Sequence, residues 1–534
     1  MKNAPPTERF SAAEREALRP YFTDLDGPVF ALVNLPEVVK GALFARYSRS
    51  AKSLRRLFLD EFAGQVAEVP VAPVLVGVER AEQLYERVFL EYGDDSVAQL
   101  GSVHLACEDV SNVLTKVLEW GRLMAYLEQS TRYVPYTDRP GGRFRYHVPA
   151  EIEAPELREA YEAALDDAFA TYAAWLPRLE EHYARAFPRE GDSSPGAWKR
   201  SIRAKALDAL RGLLPAATLA NVGIHGTGQA YEALLLRMRA HPLAEAREVA
   251  QRMLVELRKV IPAFLRRVDV EERGVRWTRY LRETREGTER VARELLAGVR
   301  PTPQPDVVLA DHDPEGEVKV VAAALYAACE LPDTQLLERV RAMSAEERTR
   351  VLRAYVGERA NRRHKPGRAF ERAWYRFDVL TDYGAFRDLQ RHRMLTVEWQ
   401  PLTPRHGWLA AEAVEEAGAL GDWARVMDRT AEVHERLCAA GLGLVASYVV
   451  PMAYRIRFYL ELNAREALHV IELRTAPQGH ASYRRVCQSL HRLIAEEAGH
   501  RAIAEAMCFT DHGSVGLERL GAEQAADRRR SGNR

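Results

Sequence analysis

The stretch from Phe458 to Arg474, FYLELNAREALHVIELR, decides how the rest of the chain is read, because its elements recur in the same order earlier on. Ser447-Tyr-Val-Val-Pro451 stands upstream of it, and within it come Asn463-Ala-Arg465 and Ile471-Glu-Leu-Arg474. In the first half Arg211-Gly-Leu-Leu-Pro215 is followed by Leu234-Leu-Leu-Arg237, so a proline and a late arginine return at nearly equal spacing. An internal repeat of this kind points to two like structural units.

The bulk of the chain agrees. At 534 residues it exceeds what one hydrophobic core usually serves, which calls for two or more domains. Hydrophobic residues make up 47% and charged residues 28%, the balance of a soluble globular protein. Formal net charge is zero, so no global field draws the chain to nucleic acid or to an anionic membrane, and a polyanion must be met by a local arginine cluster. Cys107, Cys329, Cys438, Cys487 and Cys508 form no CxxC pair, which argues against a zinc site or a disulfide framework and for a reducing compartment. The opening MKNAPPTERF lacks the pattern of a signal peptide, and the apolar stretch Gly441 to Ala453 is too short to span a bilayer. A cytoplasmic protein is expected.

Helical periodicity is clear in Ala81 to Glu91, where Leu84, Val88 and Phe89 share a face, in Ser111 to Tyr126, and in Ala244 to Val268. Pro28 to Leu35, Asp306 to Ala310 and Trp374 to Leu380 read as strands. The class is therefore α+β. The proline-rich run between Gly298 and Glu317 suits a connector, giving expected units of 1–299 and 300–520 with a polar tail over 521–534. Phe187 to Gly196 reads as a loop between helices of the first half.

Two local constellations carry chemistry. Arg391-His392-Arg393 follows DYGAFRDLQ, whose helical phase sets Arg387 and Arg391 four residues apart on one face. Cations so crowded suit a phosphate, which guanidinium groups bind in bidentate fashion. A solvated basic face is the bland alternative. Glu128-Gln-Ser130-Thr-Arg132-Tyr133, after the expected helix, joins a carboxylate, a hydroxyl and a guanidinium that could fix a polar heterocycle and a phosphate together. A helix-ending salt bridge would explain it equally well.

Taken together these motifs resemble the flavin-dependent thymidylate synthases, whose signature runs RHRxxSxNExSxRY and is followed by R-x-x-L-P, N-A-R and a helical L-R. The second half shows Arg391-His392-Arg393, Pro451, Asn463-Ala464-Arg465 and Leu473-Arg474; the first shows Glu128, Ser130, Arg132, Tyr133, Arg211, Pro215 and Arg237. YGDDSVAQ at Tyr92 to Gln99 is similar to the family's Y-G-H-x-S-V-x-E, with Asp94 in place of His. After RHR the second half departs, with Thr396, Pro401 and Thr403 at the two Ser positions and the Arg position, and Glu398 one residue early. The first half has Trp120-Gly121-Arg122 in place of RHR and Gly226-Thr227-Gly228 in place of N-A-R.

The resemblance implies two tandem units, each a small mixed sheet flanked by long helices. It implies FAD held by Arg391, His392, Arg393, Asn463 and Arg465, with His364 in RRHKPGRAFE as a further flavin contact. It implies dUMP held by Glu128, Ser130, Arg132, Arg211, Arg237 and Arg474, with Arg237 and Arg474 as the catalytic arginines that stabilise charge on the pyrimidine carbonyl. The losses in the two halves are then complementary. The implied activity is reductive methylation of dUMP to dTMP, with methylenetetrahydrofolate as carbon donor and NADPH as reductant. No cysteine nucleophile is needed, and a homodimer would imitate the family's homotetramer.

Two other readings stay open. Broken signatures in both halves suit a degenerate homologue that binds flavin or nucleotide without catalysis. Glu466-Ala-Leu-His469 and Glu497-Ala-Gly-His500 have the Glu-x-x-His spacing of di-iron carboxylate bundles, which also need a Glu from each of two further helices.

Overall fold

A computed structural model of the chain describes residues 8–63, 99, 101–189, 194–513, 520 and 524. The expected helix over 81–91, the motif over 92–98, part of the loop at 190–193 and nearly all of the tail lie outside these residues.

The described strands form two four-stranded sheets with the same order, and every pairing in them is antiparallel rather than mixed. In the first, β1 (Val29–Leu32), β2 (Ser102–Ser111), β4 (Leu219–Thr227) and β3 (Met124–Glu128) lie side by side in that order. In the second, the order is β5 (Val307–His312), β6 (Trp374–Asp382), β8 (Arg455–Asn463) and β7 (Thr396–Trp399). The repeat seen in the sequence is thus a repeat of topology.

Each central strand runs straight into a helix through a side-chain cap. Ser111 at the end of β2 accepts from Leu114 N and opens helix Asn112–Leu118; Asp382 at the end of β6 accepts from Ala385 N and opens helix Tyr383–Gln390. Thr227 ends β4 and caps helix Gly228–Arg239, while Asn463 ends β8 and caps helix Ala464–Arg474. Ser, Asp, Thr and Asn are the residues whose short side chains satisfy a free N–H at a helix start. One strand–cap–helix device, used four times, fixes where the motif residues point.

Strand β8 alternates strictly, with Ile456, Phe458, Leu460 and Leu462 buried and Arg455, Arg457, Tyr459 and Glu461 less so. Other stretches depart from the reading of the sequence. The helix expected over Ser111 to Tyr126 is only Asn112–Leu118, and the chain turns to enter β3, so Glu128 ends a strand. The helix expected over Ala244 to Val268 stops at Arg258, and Pro262, which cannot donate to an α-helical ladder, precedes a 3₁₀ segment over Ala263–Asp269.

Contacts divide the chain into two compact units. Unit 1 comprises Met1–Ala174, Leu213–Pro301 and Ala424–Val450; unit 2 comprises Trp175–Gly212, Thr302–Trp423 and Pro451–Arg534. The proline-rich connector is one of the places where the chain passes between them. Another falls inside helix Pro155–Ala186, close to its internal Pro177. Unit 1 closes around Glu245, whose carboxylate accepts from Ser111 N at 2.8 Å, Ser111 Oγ at 2.7 Å and Tyr448 Oη at 2.6 Å. In unit 2, Ala453 N donates to Gly212 O at 2.9 Å, and Gly212 lies against the Trp423 ring.

No helix among the described residues is long and apolar enough to cross a membrane. Burial pushes the thiols of Cys107 and Cys487 up to about 12, which suits core packing and not nucleophilic chemistry.

Candidate functional site

Unit 2 contains a cavity of about 390 Å³, lined among others by Arg391, His392, Arg393, Asn463, Arg465 and Arg474. Five of the six residues assigned to flavin by sequence therefore come together, joined by Arg474. The end of helix Tyr383–Gln390 supplies Arg391 to Arg393, and helix Ala464–Arg474 supplies Arg465, Glu466, His469 and Arg474. Glu466 and His469 lie three residues apart on that helix, and Arg474 follows His469 by five. His364 does not line this cavity. Its ring closes its own loop, with Nδ1 accepting from Ala360 N at 3.3 Å and Nε2 3.3 Å from the Asn361 carboxamide.

The walls are strongly cationic. Lys365, Arg391, Arg393, Arg465 and Arg474 line it with Glu371 and Glu466, five cations against two carboxylates. Such an excess of cations suits an anionic ligand.

Beside the cavity, three guanidinium groups share Asp388. Arg391 Nη2 bonds Oδ1, Arg474 Nη1 lies 3.5 Å from Oδ1, and Arg211 Nη1 lies 3.4 Å from Oδ2. Arg474 also donates from Nη2 to the main-chain oxygen of Asp388 at 2.5 Å. Arg211, which the sequence groups with the first half, belongs to unit 2. Its side chain is buried, and Nε and Nη2 have no acceptor among the described residues. Gly384 leaves room for it, since a Cβ there would come within 3.1 Å of Nε. Buried N–H groups of an arginine are rarely left without an acceptor, which makes Arg211 a candidate ligand residue.

His392 is neutral and its tautomer is fixed. Burial first, then Arg474 and His469, hold its pKa well below the ordinary histidine value. Arg474 Nε, which can only donate, lies 2.9 Å from His392 Nε2. The ring proton is therefore on Nδ1, which lies 3.5 Å from Glu466 Oε1. Glu472, two residues before Arg474, forms a buried pair with Arg359 through two bonds of 2.6 Å.

His392, Glu466 and His469 offer ligand atoms within 4.8 Å of one another, the one such group among the described residues. The chemistry does not fit a metal. Nδ1 of His392 carries a proton, Nε2 is taken by Arg474, and the surrounding cations oppose a dication. The second Glu-x-x-His pair does not join the first: His500 instead bonds Tyr375 Oη through Nδ1 at 2.9 Å. The di-iron reading falls with it.

Burial pushes the Glu466 carboxyl up to about 7, although Lys365, Arg465 and Arg393 pull the other way. The folded state thus prefers the protonated acid. Its contribution to stability is complete below about pH 4.5 and is lost as pH rises through about 7. The Glu466→Gln variant should therefore be more stable than wild type by roughly 2–3 kcal/mol at about pH 8 and unchanged at about pH 4. Thermal melts at the two pH values read this, and equal melting at both would refute it.

In unit 1 the corresponding residues are arranged differently. Lys116 Nζ, buried, lies 2.7 Å from Glu119 and 3.4 Å from Glu128. Arg237 lies 4.7 Å over the Trp120 ring and donates to Val117 O at 3.4 Å. Ser130 Oγ accepts from Arg132 N at 3.3 Å. Unit 1 thus holds Glu128, Ser130, Arg132 and Arg237, while Arg211 and Arg474 meet at Asp388 in unit 2.

This architecture has known counterparts. Residues 43–263 and 307–498 match the sequence profile of the thymidylate synthase complementing proteins. The chain belongs to that family, with the match falling into two segments, one per repeat. It is 36% identical over 520 residues to a UPF0159 protein of Chlamydia muridarum, covering 96% of this chain and 98% of that one. A UPF0159 protein of Thermoplasma acidophilum is 31% identical over 508 residues, covering 91% and 97%. A flavin-dependent thymidylate synthase of Mycobacterium marinum is 33% identical over 181 residues, 34% of this chain and 66% of that one. A UMP/dUMP methylase from Streptomyces cacaoi, solved with 5-Br dUMP, matches with a TM-score of 0.29 and 19% identity over 37% of this chain and 94% of that one.

Proposed function

We propose that the protein is a flavin-dependent thymidylate synthase-like enzyme that uses the unit 2 cavity to hold FAD and converts dUMP to dTMP. The observation that carries this reading is the convergence of the RHR, N-A-R and L-R residues on one cavity whose cations outnumber its carboxylates five to two. Family membership supports it. FAD, when bound, would supply the reducing equivalents, renewed by NADPH, with methylenetetrahydrofolate giving the carbon.

The chain's own residues bind and orient. Arg391, Arg393 and Arg465 suit a diphosphate, because guanidinium groups bond phosphate oxygens in pairs. Arg474, fixed by Asp388 and His392, is preorganised to stabilise negative charge on a carbonyl oxygen. The free N–H groups of Arg211 suit a nucleotide phosphate, and Glu128, Ser130 and Arg132 are the remaining nucleotide candidates.

A second reading is a non-catalytic homologue that binds flavin or nucleotide. The buried Lys116–Glu119–Glu128 network favours it, since Glu128, expected to meet a nucleotide, is engaged by Lys116. The test is the visible absorbance of the purified protein with added FAD, followed by dUMP and methylenetetrahydrofolate added to the reduced form. Bound flavin with dUMP-dependent reoxidation and dTMP supports the enzyme. Bound flavin without reoxidation selects the second reading, and failure to take up FAD overturns the flavin site.

A further inference from the structure

The unit 2 cavity holds one acid whose surroundings set it apart. Glu466 is 8% exposed, lines the cavity, and has His392 Nδ1, 3.5 Å away, as its side chain's closest polar partner among the described residues. Three other buried carboxylates of unit 2 have close cationic partners. Asp388 is shared by three guanidinium groups, Glu472 is held bidentately by Arg359, and Asp313 accepts from Lys319 at 2.8 Å to both oxygens.

Every group facing Glu466 pushes in an identifiable direction. His392, from the segment after helix Tyr383–Gln390, presents a fixed N–H and no charge. Arg393 from that segment, Lys365 from the loop before Gly367, and Arg465 on its own helix favour the carboxylate. His469, one turn on, is held neutral by burial and the nearby cations, with its pKa down at about 4. Glu371 lies on the cavity wall among the same cations and is bonded to Arg465 and Arg368. Burial opposes the cations and prevails. An anion entering the cavity would compete for those same cations and add its own repulsion.

We propose that Glu466 is the proton-exchanging side chain of this cavity, taking up one proton from solvent as an anionic ligand binds beside it and releasing it as the ligand leaves. The inference deepens the reading of the cavity as the flavin site and rests on its being an anion site. The step balances simply: a carboxylate becomes a carboxylic acid, the charge brought by the ligand is partly offset, and His392 keeps its own proton throughout. The bound ligand then faces an O–H donor where the free cavity, above about pH 7, offers an acceptor. Glu466 thereby sets how much anion affinity the cavity has at a given pH.

The test uses the full chain and two probes that do not titrate near neutrality. Oxidised FAD is titrated calorimetrically in two buffers of different ionisation enthalpy, and inorganic sulfate is followed through the melting temperature, both at about pH 6 and about pH 8. Wild type should take up a substantial fraction of a proton per FAD at about pH 8 and much less at about pH 6, and its affinity should fall several-fold, up to about tenfold per pH unit, as pH rises. Sulfate should stabilise it more at the lower pH. In the Glu466→Gln variant both dependences should disappear, while Glu371→Gln, as a control carboxamide on the same wall, should keep them.

Sulfate stabilisation that follows Glu466 without FAD binding would remove flavin as the ligand and leave this inference standing. FAD binding with no proton uptake in wild type, or with uptake unchanged in Glu466→Gln, would overturn the inference and leave the flavin reading intact. If neither probe binds, both fall.

Discussion

Replacing Arg211 with methionine is expected to raise the melting temperature and, at the same time, to weaken dUMP binding by about 10- to 100-fold. The two effects share one cause. Among the described residues, buried Arg211 has two N–H-bearing nitrogens without acceptors, and its ion pair to Asp388 is long at 3.4 Å. A buried unsatisfied polar group costs about 1–3 kcal/mol, and replacing such a charge by an apolar side chain of similar volume is often stabilising. Asp388 keeps Arg391 and Arg474 in the variant. A phosphate would lose one charge-assisted partner, about 1.5–3 kcal/mol. Melting curves and nucleotide binding on one preparation decide the matter. A fall in melting temperature with binding unchanged would make Arg211 a structural strut.

The second large effect concerns stability alone. Glu245→Ala should destabilise unit 1 by about 3–5 kcal/mol, because one carboxylate satisfies three donors. Ser111 and Tyr448 are fully enclosed, so the alanine variant removes the acceptor that their buried donors share. Glu245→Gln keeps an oxygen and should recover about half of the loss. Denaturant unfolding of the three proteins gives the ranking, and an alanine variant within about 0.5 kcal/mol of wild type would refute the hub.

Parts of this architecture were legible in the residues and parts were not. The repeat showed through Pro215 and Pro451 with their following arginines, because strand–cap–helix devices need the same residue types at the same spacing. Strands β1, β5 and β6 carry enough apolar and β-branched side chains to be read directly. Strand β2 was hidden by its bulge: Asp109 adopts a φ of 52° and the register shifts between Cys107 and Val110, which breaks the alternation. Strand β3 is short, with only Met124 and Glu128 buried, and its sequence fits a helix as well as a strand.

The cavity was half legible. Arg391 to Arg393 and Asn463 to Arg465 stood out as motifs, and Arg474 could be placed on their helix. That Arg474 bonds His392, and so fixes a tautomer, depends on two helices meeting in space. Glu466 and His469 were visible as a spaced pair, but spacing cannot tell a metal ligand from an acid in a cationic pocket. Arg211 was recognised as a candidate ligand residue, whereas its place beside Asp388 follows from where Trp175–Gly212 packs.

That packing also sets the order in which the molecule can be completed as it is made. All four strands of the first sheet have been synthesised by Thr227, yet unit 1 also needs Ala424–Val450, whose Val450 and Tyr448 carbonyls accept from Ala216 and Ala217. At about 5–20 residues per second the ribosome delivers that segment roughly 10–45 s later. For that interval the nascent first sheet stands beside its translating ribosome with one wall missing, and Glu245 waits for the hydroxyl of Tyr448. The two repeats thus share one timetable, in which the first-made half cannot be finished until most of the second has been made.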